Sequence, residues 1–131
     1  MRQYRGRIKD STVWVYGYYT KSPQGIARIW SPITKENGES YLYDYVVDPE
    51  TVGQSIGRKD KNGHEAYEGD IFVDSTDGYC WSIAYMDGYY CAISGDETLM
   101  LHEFLENGKL DAEIIGNIHD HPHLLKGDGN E

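Results

Sequence analysis

Apolar and aromatic residues along this chain occur in short runs that are separated by turn-forming pairs. Three Asn-Gly pairs (residues 37–38, 62–63 and 107–108) and two internal Asp-Gly pairs (77–78 and 87–88) stand between runs of four to eight residues. Such pairs favour tight hairpin turns, and runs of this length suit strands. The pattern predicts a mainly β fold, a β-meander with one or two short helices.

The first half of the chain predicts a series of strands. Residues 4–8 and 12–19 predict a hairpin that turns at Asp10-Ser11, 26–30 a short strand, and 41–47 a strand whose tyrosines share one face. Residues 31–39 include Pro32 and are polar enough to predict a mobile loop. Because the strand at 12–19 is apolar on both faces, we expect another element or another subunit to cover at least one face.

Turn chemistry dominates the predictions for the rest of the chain. Asn62-Gly63 predicts a type I′ turn with positive φ at both residues, and Gly69 predicts a sharp bend. Asp48 and Pro49 predict a capped single turn, and Asn107-Gly108 predicts the C-terminal cap of a short helix at 101–106. The remaining predictions are strands at 71–74, 79–85, 89–93 and 113–118, a last helical turn at 120–125 and a fraying tail at 126–131.

The two cysteines are predicted to be free thiols. A two-residue turn at Asp87-Gly88 places Cys91 opposite Ala84, so Cys80 lies four residues further along the same face. That offset corresponds to about 13 Å at the rise of a strand, which is too far for a disulfide. Free thiols suit a reducing compartment.

Length and composition indicate one domain, with room for two lobes, in a chain of 131 residues. No apolar run approaches the ~20 residues needed to cross a bilayer, and the N-terminus lacks the features of a signal peptide. We therefore expect no membrane segment and a cytoplasmic location. Twelve tyrosines and three tryptophans accompany only two phenylalanines. These amphipathic rings either shield a thin β core or form an association surface.

Negative charge is concentrated in the second half of the chain. Residues 1–57 carry seven basic and six acidic side chains, whereas residues 58–131 carry five and sixteen, within a total net charge of −10. An acidic surface repels nucleic acid, so we expect no direct binding to DNA or RNA. The charge serves either solubility or competition for a basic, nucleic-acid-binding partner.

Several stretches, in order along nearly the whole chain, resemble the YopX protein family, whose small members are encoded mainly by phages and prophages of Gram-positive bacteria. The stretches that carry the resemblance are 14–17, 47–54, Gly57 with 59–63, 67–71, and 115–118 with Pro122 and 124–125. The motif residues, for which we expect structural roles, are Asp60, Asn62, Gly63, Tyr67, Glu68, Gly69, Asp70, Gly116 and Asn117.

The resemblance implies an N-terminal β-rich subdomain over residues 1–50, an SH3-like barrel over 51–122 and a C-terminal tail over 123–131. It also implies a phage or prophage origin and a bacterial host cell. It implies no enzymatic activity and no cofactor, because none is established for the family.

Two groups of side chains are candidates for chemistry. His119, His121 and His123 would share one face of an extended strand and suit zinc or nickel, although Pro122 disfavours regular strand pairing there. Glu68 and Asp70, with Asp60 and Glu65 nearby, suit either acid–base chemistry and Mg²⁺ or the capping of backbone N–H groups at the Gly69 bend. Capping is the preferred interpretation, and catalysis has no positive support in the sequence.

The sequence is therefore compatible with three functions. The first is a phage or prophage accessory protein that acts by protein–protein association, with itself as a homo-oligomer or with an unidentified phage or host protein. The second is an acidic decoy that binds a basic host nucleic-acid-binding protein through residues 58–131. The third is a small metal-dependent enzyme at the histidine or carboxylate group.

Overall fold

The structure, a computed structural model of the chain, describes residues 3–125. Strands contain 57% of the described residues and short 3₁₀ helices 8%, and the sheets are antiparallel, so the fold is mainly β as predicted. The chain divides into two compact units, Met1–Gln54 and Ser55–Glu131. The predicted fraying tail at 126–131 lies outside the described residues.

Unit 1 is a meander with a small core. Its strands are β1 (Tyr4–Arg7), β2 (Trp14–Lys21), β3 (Ala27–Thr34), β4 (Ser40–Val46) and the start of β5 (Gly53–Lys59), in the sheet order β4-β3-β2-β1-β5. Ala27, Ile29 and Val47 are buried, and rings such as those of Tyr19 and Tyr45 pack against them. Asp10 has φ 61° in the turn between β1 and β2, which confirms the predicted hairpin.

Unit 2 contains the rest of β5 and the later strands. These are β6 (Glu65–Tyr67), β7 (Asp70–Val73), β8 (Cys80–Met86), β9 (Tyr89–Ser94), β10 (Glu97–Met100), β11 (Leu105–Glu106), β12 (Lys109–Leu110) and β13 (Glu113–Asn117). Five of them form a sheet in the order β10-β9-β8-β7-β13. The core includes Phe72 and Trp81, and the partly buried Phe104 ring packs on both, at 5.0 Å and 5.2 Å between ring centroids.

The order of this five-stranded sheet has two ends, at β10 and β13, so the described strands form no closed barrel. The SH3-like barrel expected over residues 51–122 is not confirmed. The cysteine prediction is confirmed, because Cys91 lies opposite Ala84 and neither cysteine forms a disulfide.

Several turn predictions need correction. Asn62-Gly63 is not a type I′ turn, because only Gly63 has a positive φ, of 87°. Gly63 N–H donates to the Asp60 carbonyl and Asp60 N–H to the His64 carbonyl, which is a type I turn followed by a glycine bulge. The single turn Pro49–Thr51 is present, but the Asp48 side chain does not cap it. Instead the Thr51 hydroxyl donates to the Asp48 carbonyl at 2.6 Å.

The predicted helix at 101–106 is also wrong in its second half. A 3₁₀ helix ends at Phe104, and Leu105–Glu106 is already strand β11. Asn107 and Gly108 have φ of 55° and 78°, which are the two positive values of a type I′ hairpin turn between β11 and β12. The pair therefore closes a hairpin and does not cap a helix. The last predicted helical turn is present as the 3₁₀ helix Pro122–Leu124.

The loop predicted at 31–39 is strand in its first four residues. β3 continues through Pro32 to Thr34, and β4 begins at Ser40, so only the residues between them form the turn. Pro32 lies opposite Leu42 within the paired region. The hairpin of β3 and β4 is therefore longer than the sequence pattern indicated.

Candidate functional site

Asp60 organises the turn between β5 and β6 from a buried position. Its carboxylate accepts N–H groups from Asn62 and His64 on Oδ1 and from Ile114 on Oδ2, each at 2.9 Å. Burial alone would raise the pKa of Asp60, but the three N–H donors and the neighbouring His64 ring outweigh it, so the pKa lies below its usual 3.8. The ionised carboxylate ties its own turn to β13.

Asp70 has a comparable role at the Gly69 bend. Its Oδ2 accepts the Tyr67 N–H at 2.8 Å, and both residues are buried. Gly69 has φ 91°; its N–H donates to the Ile83 carbonyl, and its own carbonyl accepts the Ile118 N–H. The preferred interpretation of the sequence expects a carboxylate to cap a backbone N–H group at this bend. Asp70 is that carboxylate, and it caps the Tyr67 N–H.

Asn117 caps the turn that follows β13. Its Oδ1 accepts the N–H groups of His119 and Asp120, both at 2.9 Å. His121 Nδ1 accepts the Asn117 N–H at 3.2 Å, and a Cβ on Gly116 would lie only 2.6 Å from that nitrogen. The glycine, the asparagine and the histidine thus form one packed turn.

The three candidate metal-binding histidines do not lie on an extended strand. Residues 118–120 form a turn and Pro122–Leu124 a 3₁₀ helix, so the geometry that would place all three side chains on one face is absent. The rings of His121 and His123 lie 6.2 Å apart. Within residues 3–125, no group of three or more His, Cys, Asp or Glu side chains is placed to hold a metal ion.

The carboxylates around residues 60–70 serve separate contacts. Asp60 and Asp70 each bind backbone N–H groups, while Glu65 accepts the Ser55 hydroxyl and Glu68 is half-buried. Both carboxylate oxygens of Asp60 and the Oδ2 of Asp70 accept backbone N–H groups, which is the arrangement that suits capping.

A different feature stands out in unit 1: the far part of the β3–β4 hairpin, residues 31–43, which we call the arm. β2 pairs with β3 only as far as Trp30, so residues 31–34 pair with 40–43 alone. Register places Ile33 with Tyr41 and Tyr43 on one face, and Pro32 with Leu42 on the other. Tyr41, Leu42 and Tyr43 are 43 to 50% exposed.

The face of unit 1 that carries Leu42 also carries exposed aromatic rings. Tyr16 and Tyr18 of β2 are 44% and 47% exposed, and Trp30 lies opposite Tyr18 and donates from Nε1 to the Thr20 hydroxyl at 2.7 Å. Exposed apolar and aromatic side chains on neighbouring strands are typical of association surfaces. We take the arm and these rings as the candidate functional site.

Comparison with known proteins gives a family. Residues 3–126 match the family model described as YopX protein. The chain belongs to the YopX protein family. No curated protein sequence matches the chain. Among solved structures, the crystal structure of protein EF1440 from Enterococcus faecalis is similar, with a TM-score of 0.61 and 24% identity over 96% of this chain and 99% of that chain. This likeness shows the fold alone.

Three groups of motif residues in this YopX family member lie at backbone turns. The three turns described above contain eight motif residues: Asp60, Asn62 and Gly63 in the first, Tyr67, Gly69 and Asp70 in the second, and Gly116 and Asn117 in the third. The contacts of Asp60, Asp70 and Asn117 to backbone N–H groups support structural roles for these residues. No helix in the described part of the chain is long and apolar enough to cross a membrane.

Sequence reasoning missed the arm because Pro32 and the polar residues after it indicated a loop. The sequence did hold a signal, since Ile33 and Tyr41 each lie four residues from Asn37, the position about which the two strands pair.

Proposed function

We propose that this YopX family member is a phage or prophage accessory protein that acts by protein–protein association, first of all with a second copy of itself. The observation that carries the proposal is the arm, which exposes apolar side chains on both faces. A two-stranded hairpin is marginally stable alone in water, and burial against a partner would stabilise it. Tyrosine and tryptophan are also enriched at protein interfaces.

The distribution of charge supports self-association through unit 1. The N-terminal 57 residues are close to neutral, with seven basic and six acidic side chains. Residues 58–131 carry a large excess of acidic side chains and would repel the same region of a second copy. Contact between copies through the neutral part of the chain avoids most of this repulsion.

Light scattering across a dilution series tests the proposal. The wild-type protein should show a mass above that of one chain at high concentration and should dissociate on dilution. Tyr43→Ser should lower the mass at a given concentration, whereas Tyr85→Ser should not. The two tyrosines are a matched pair, since both are about half exposed and each packs on one neighbouring tyrosine, at 4.8 and 5.0 Å. A monomer at every concentration would remove self-association from the proposal.

The acidic decoy is the second candidate, and the charge of residues 58–131 favours it. An SH3-like fold over residues 51–122 would suit the decoy function, because SH3-like barrels often serve as binding platforms. The observations that support an SH3-like fold are the five-stranded antiparallel sheet of unit 2 and its hydrophobic core. Binding to a basic partner should weaken steeply with added salt, because exposed charges are screened over ~10 Å at 0.1 M. Capture that is insensitive to salt would contradict the decoy.

A further inference from the structure

Hydrogen-bond alternation in the β3–β4 hairpin shows which backbone groups of β4 point away from β3. Lys35 N–H donates to the Glu39 carbonyl at 2.7 Å, and Val47 N–H donates to the Ala27 carbonyl at 3.0 Å. Hydrogen-bonded and non-hydrogen-bonded pairs alternate along an antiparallel ladder. The backbone groups that hydrogen-bond to β3 are therefore those of Tyr41, Tyr43 and Tyr45. The backbone N–H and C=O groups of the even-numbered residues of β4 point away from β3.

The outward edge of β4 is open along part of its length. β4 is the end strand in the order of the sheet. The Val46 carbonyl accepts the Lys9 N–H at 3.0 Å, so the section that no backbone group of residues 3–125 covers consists of Ser40, Leu42 and Asp44. Natural edge strands are commonly protected by lysine, proline or a bulge, but β4 contains none of these within Ser40–Val46. Its one charge, on Asp44, is paired with Arg28 at 3.2 Å.

We propose that β4 pairs antiparallel with β4 of a second copy of this chain, with the two-fold axis at Leu42. This deepens the self-association proposed above and rests on it. In this register Leu42 faces Leu42 of the second copy, and Ser40 faces Asp44 in both directions. All three residues of the open section would then exchange both backbone hydrogen bonds with the other copy.

The side chains also fit this register. Tyr41 lies opposite Tyr43 of the second copy in a non-hydrogen-bonded pair, where side chains approach most closely. Leu42 meets its own counterpart, an apolar contact on the other face. The Asp44 carboxylate lies beside the Ser40 hydroxyl of the second copy, which is a suitable donor.

Neighbouring registers are less favourable. An axis at Tyr43 places Leu42 opposite a carboxylate and pairs Ser40 with Val46, whose carbonyl is already occupied by Lys9. An axis at Asp44 places two carboxylates directly opposite each other, and like charges there are destabilising. On the other side, an axis at Tyr41 places Asp44 opposite Gly38, which lies outside β4, so Asp44 would lose its pairing. Leu42 is therefore the position that meets itself across the interface.

A charge-swap experiment tests the register. Leu42→Glu and Leu42→Lys each place like charges opposite one another at the axis, so each variant alone should self-associate at least about tenfold more weakly than wild type. An equimolar mixture should recover association, because glutamate of one variant then faces lysine of the other. Gln24→Glu and Gln24→Lys, at an exposed turn of the same unit, are the matched controls and should behave as wild type alone and mixed.

The outcomes separate this inference from the function on which it rests. Weak association of both variants without recovery on mixing would place Leu42 in an interface but not on the axis, and would overturn the register. Variants that associate like wild type would overturn edge pairing while self-association stands. A wild-type protein that is monomeric throughout would overturn both. Leu42 is 50% exposed, so the variants should keep the wild-type circular dichroism spectrum.

Discussion

Asp60 is a residue whose contribution to stability is well defined by its surroundings. Asp60→Asn replaces one carboxylate oxygen with an NH₂ group, which then faces an N–H donor of Asn62, His64 or Ile114. The loss of a charge-assisted bond and the unsatisfied donors should lower the free energy of unfolding by about 2–4 kcal/mol. Urea unfolding at neutral pH measures the change. Asp96→Asn, at an exposed turn, should change stability by less than about 0.5 kcal/mol.

The same substitution should show a defined pH dependence. Because the folded pKa of Asp60 lies below 3.8, the unfolded chain binds more protons than the folded chain as pH falls through that value. The stability from ionised Asp60 is therefore complete above the unfolded pKa and is lost as pH falls through the folded pKa. The difference in unfolding free energy between wild type and Asp60→Asn should shrink over this acidic range. A difference that stays constant with pH would contradict the assignment.

At the scale of elements, the sequence predicted most strands because hydrophobic alternation and turn residues agree there. The Asp87-Gly88 turn shows this agreement, since both residues have positive φ and the predicted pairing follows. Identical dipeptides nevertheless form different turns. Asn107-Gly108 has two positive φ values in a two-residue loop, while Asn62-Gly63 has one in a three-residue loop, where Asp60 accepts the Asn62 N–H. That contact depends on a buried side chain and could not be inferred from the dipeptide.

The candidate site was less predictable than the fold. The tyrosine row of β4 was evident from its alternation, but the arm required knowing that Pro32 is compatible with strand pairing. Pro32 lies opposite Leu42 in a non-hydrogen-bonded pair, so its missing N–H is not needed by β4. Pro32 falls at a non-hydrogen-bonded position because of the strand register that the Asn37-Gly38 turn sets. The dipeptide alone does not specify that register.

Close packing of β2 against β3 leads to a prediction at Gly17. A Cβ at this position would lie 2.1 Å from the Trp30 carbonyl oxygen, a backbone atom fixed in β3. Gly17→Ala should therefore destabilise the protein by about 3 kcal/mol through overpacking. Gly38→Ala is the control, since Gly38 has φ 92° but no atom within 4 Å of its added Cβ, and it should cost only about 1 kcal/mol. Thermal unfolding measures the loss of stability in both variants. A larger loss for Gly17→Ala than for Gly38→Ala indicates a steric clash beyond the cost of backbone conformation.

At the scale of the whole molecule, the two units differ in the kind of surface they offer. Both units expose tyrosines, but unit 1 has the smaller core and its sequence is close to neutral, whereas residues 58–131 hold all of the net negative charge. Net charge of this size keeps molecules apart. Specific association therefore depends on a surface that is nearly neutral, and among the described residues the arm has that property together with an open strand edge.

Self-association makes thermal stability depend on protein concentration. If β4 pairs between copies, a tenfold rise in concentration stabilises the folded dimer by about 1.4 kcal/mol, which should raise Tm by about 2–4 °C. Leu42→Glu should unfold at a Tm that does not change with concentration, because the monomer has no such linkage. Differential scanning calorimetry at several concentrations measures both proteins. A concentration-independent Tm for wild type, at concentrations where light scattering finds a dimer, would mean that the dimer dissociates before it unfolds and that the arm is not stabilised by pairing.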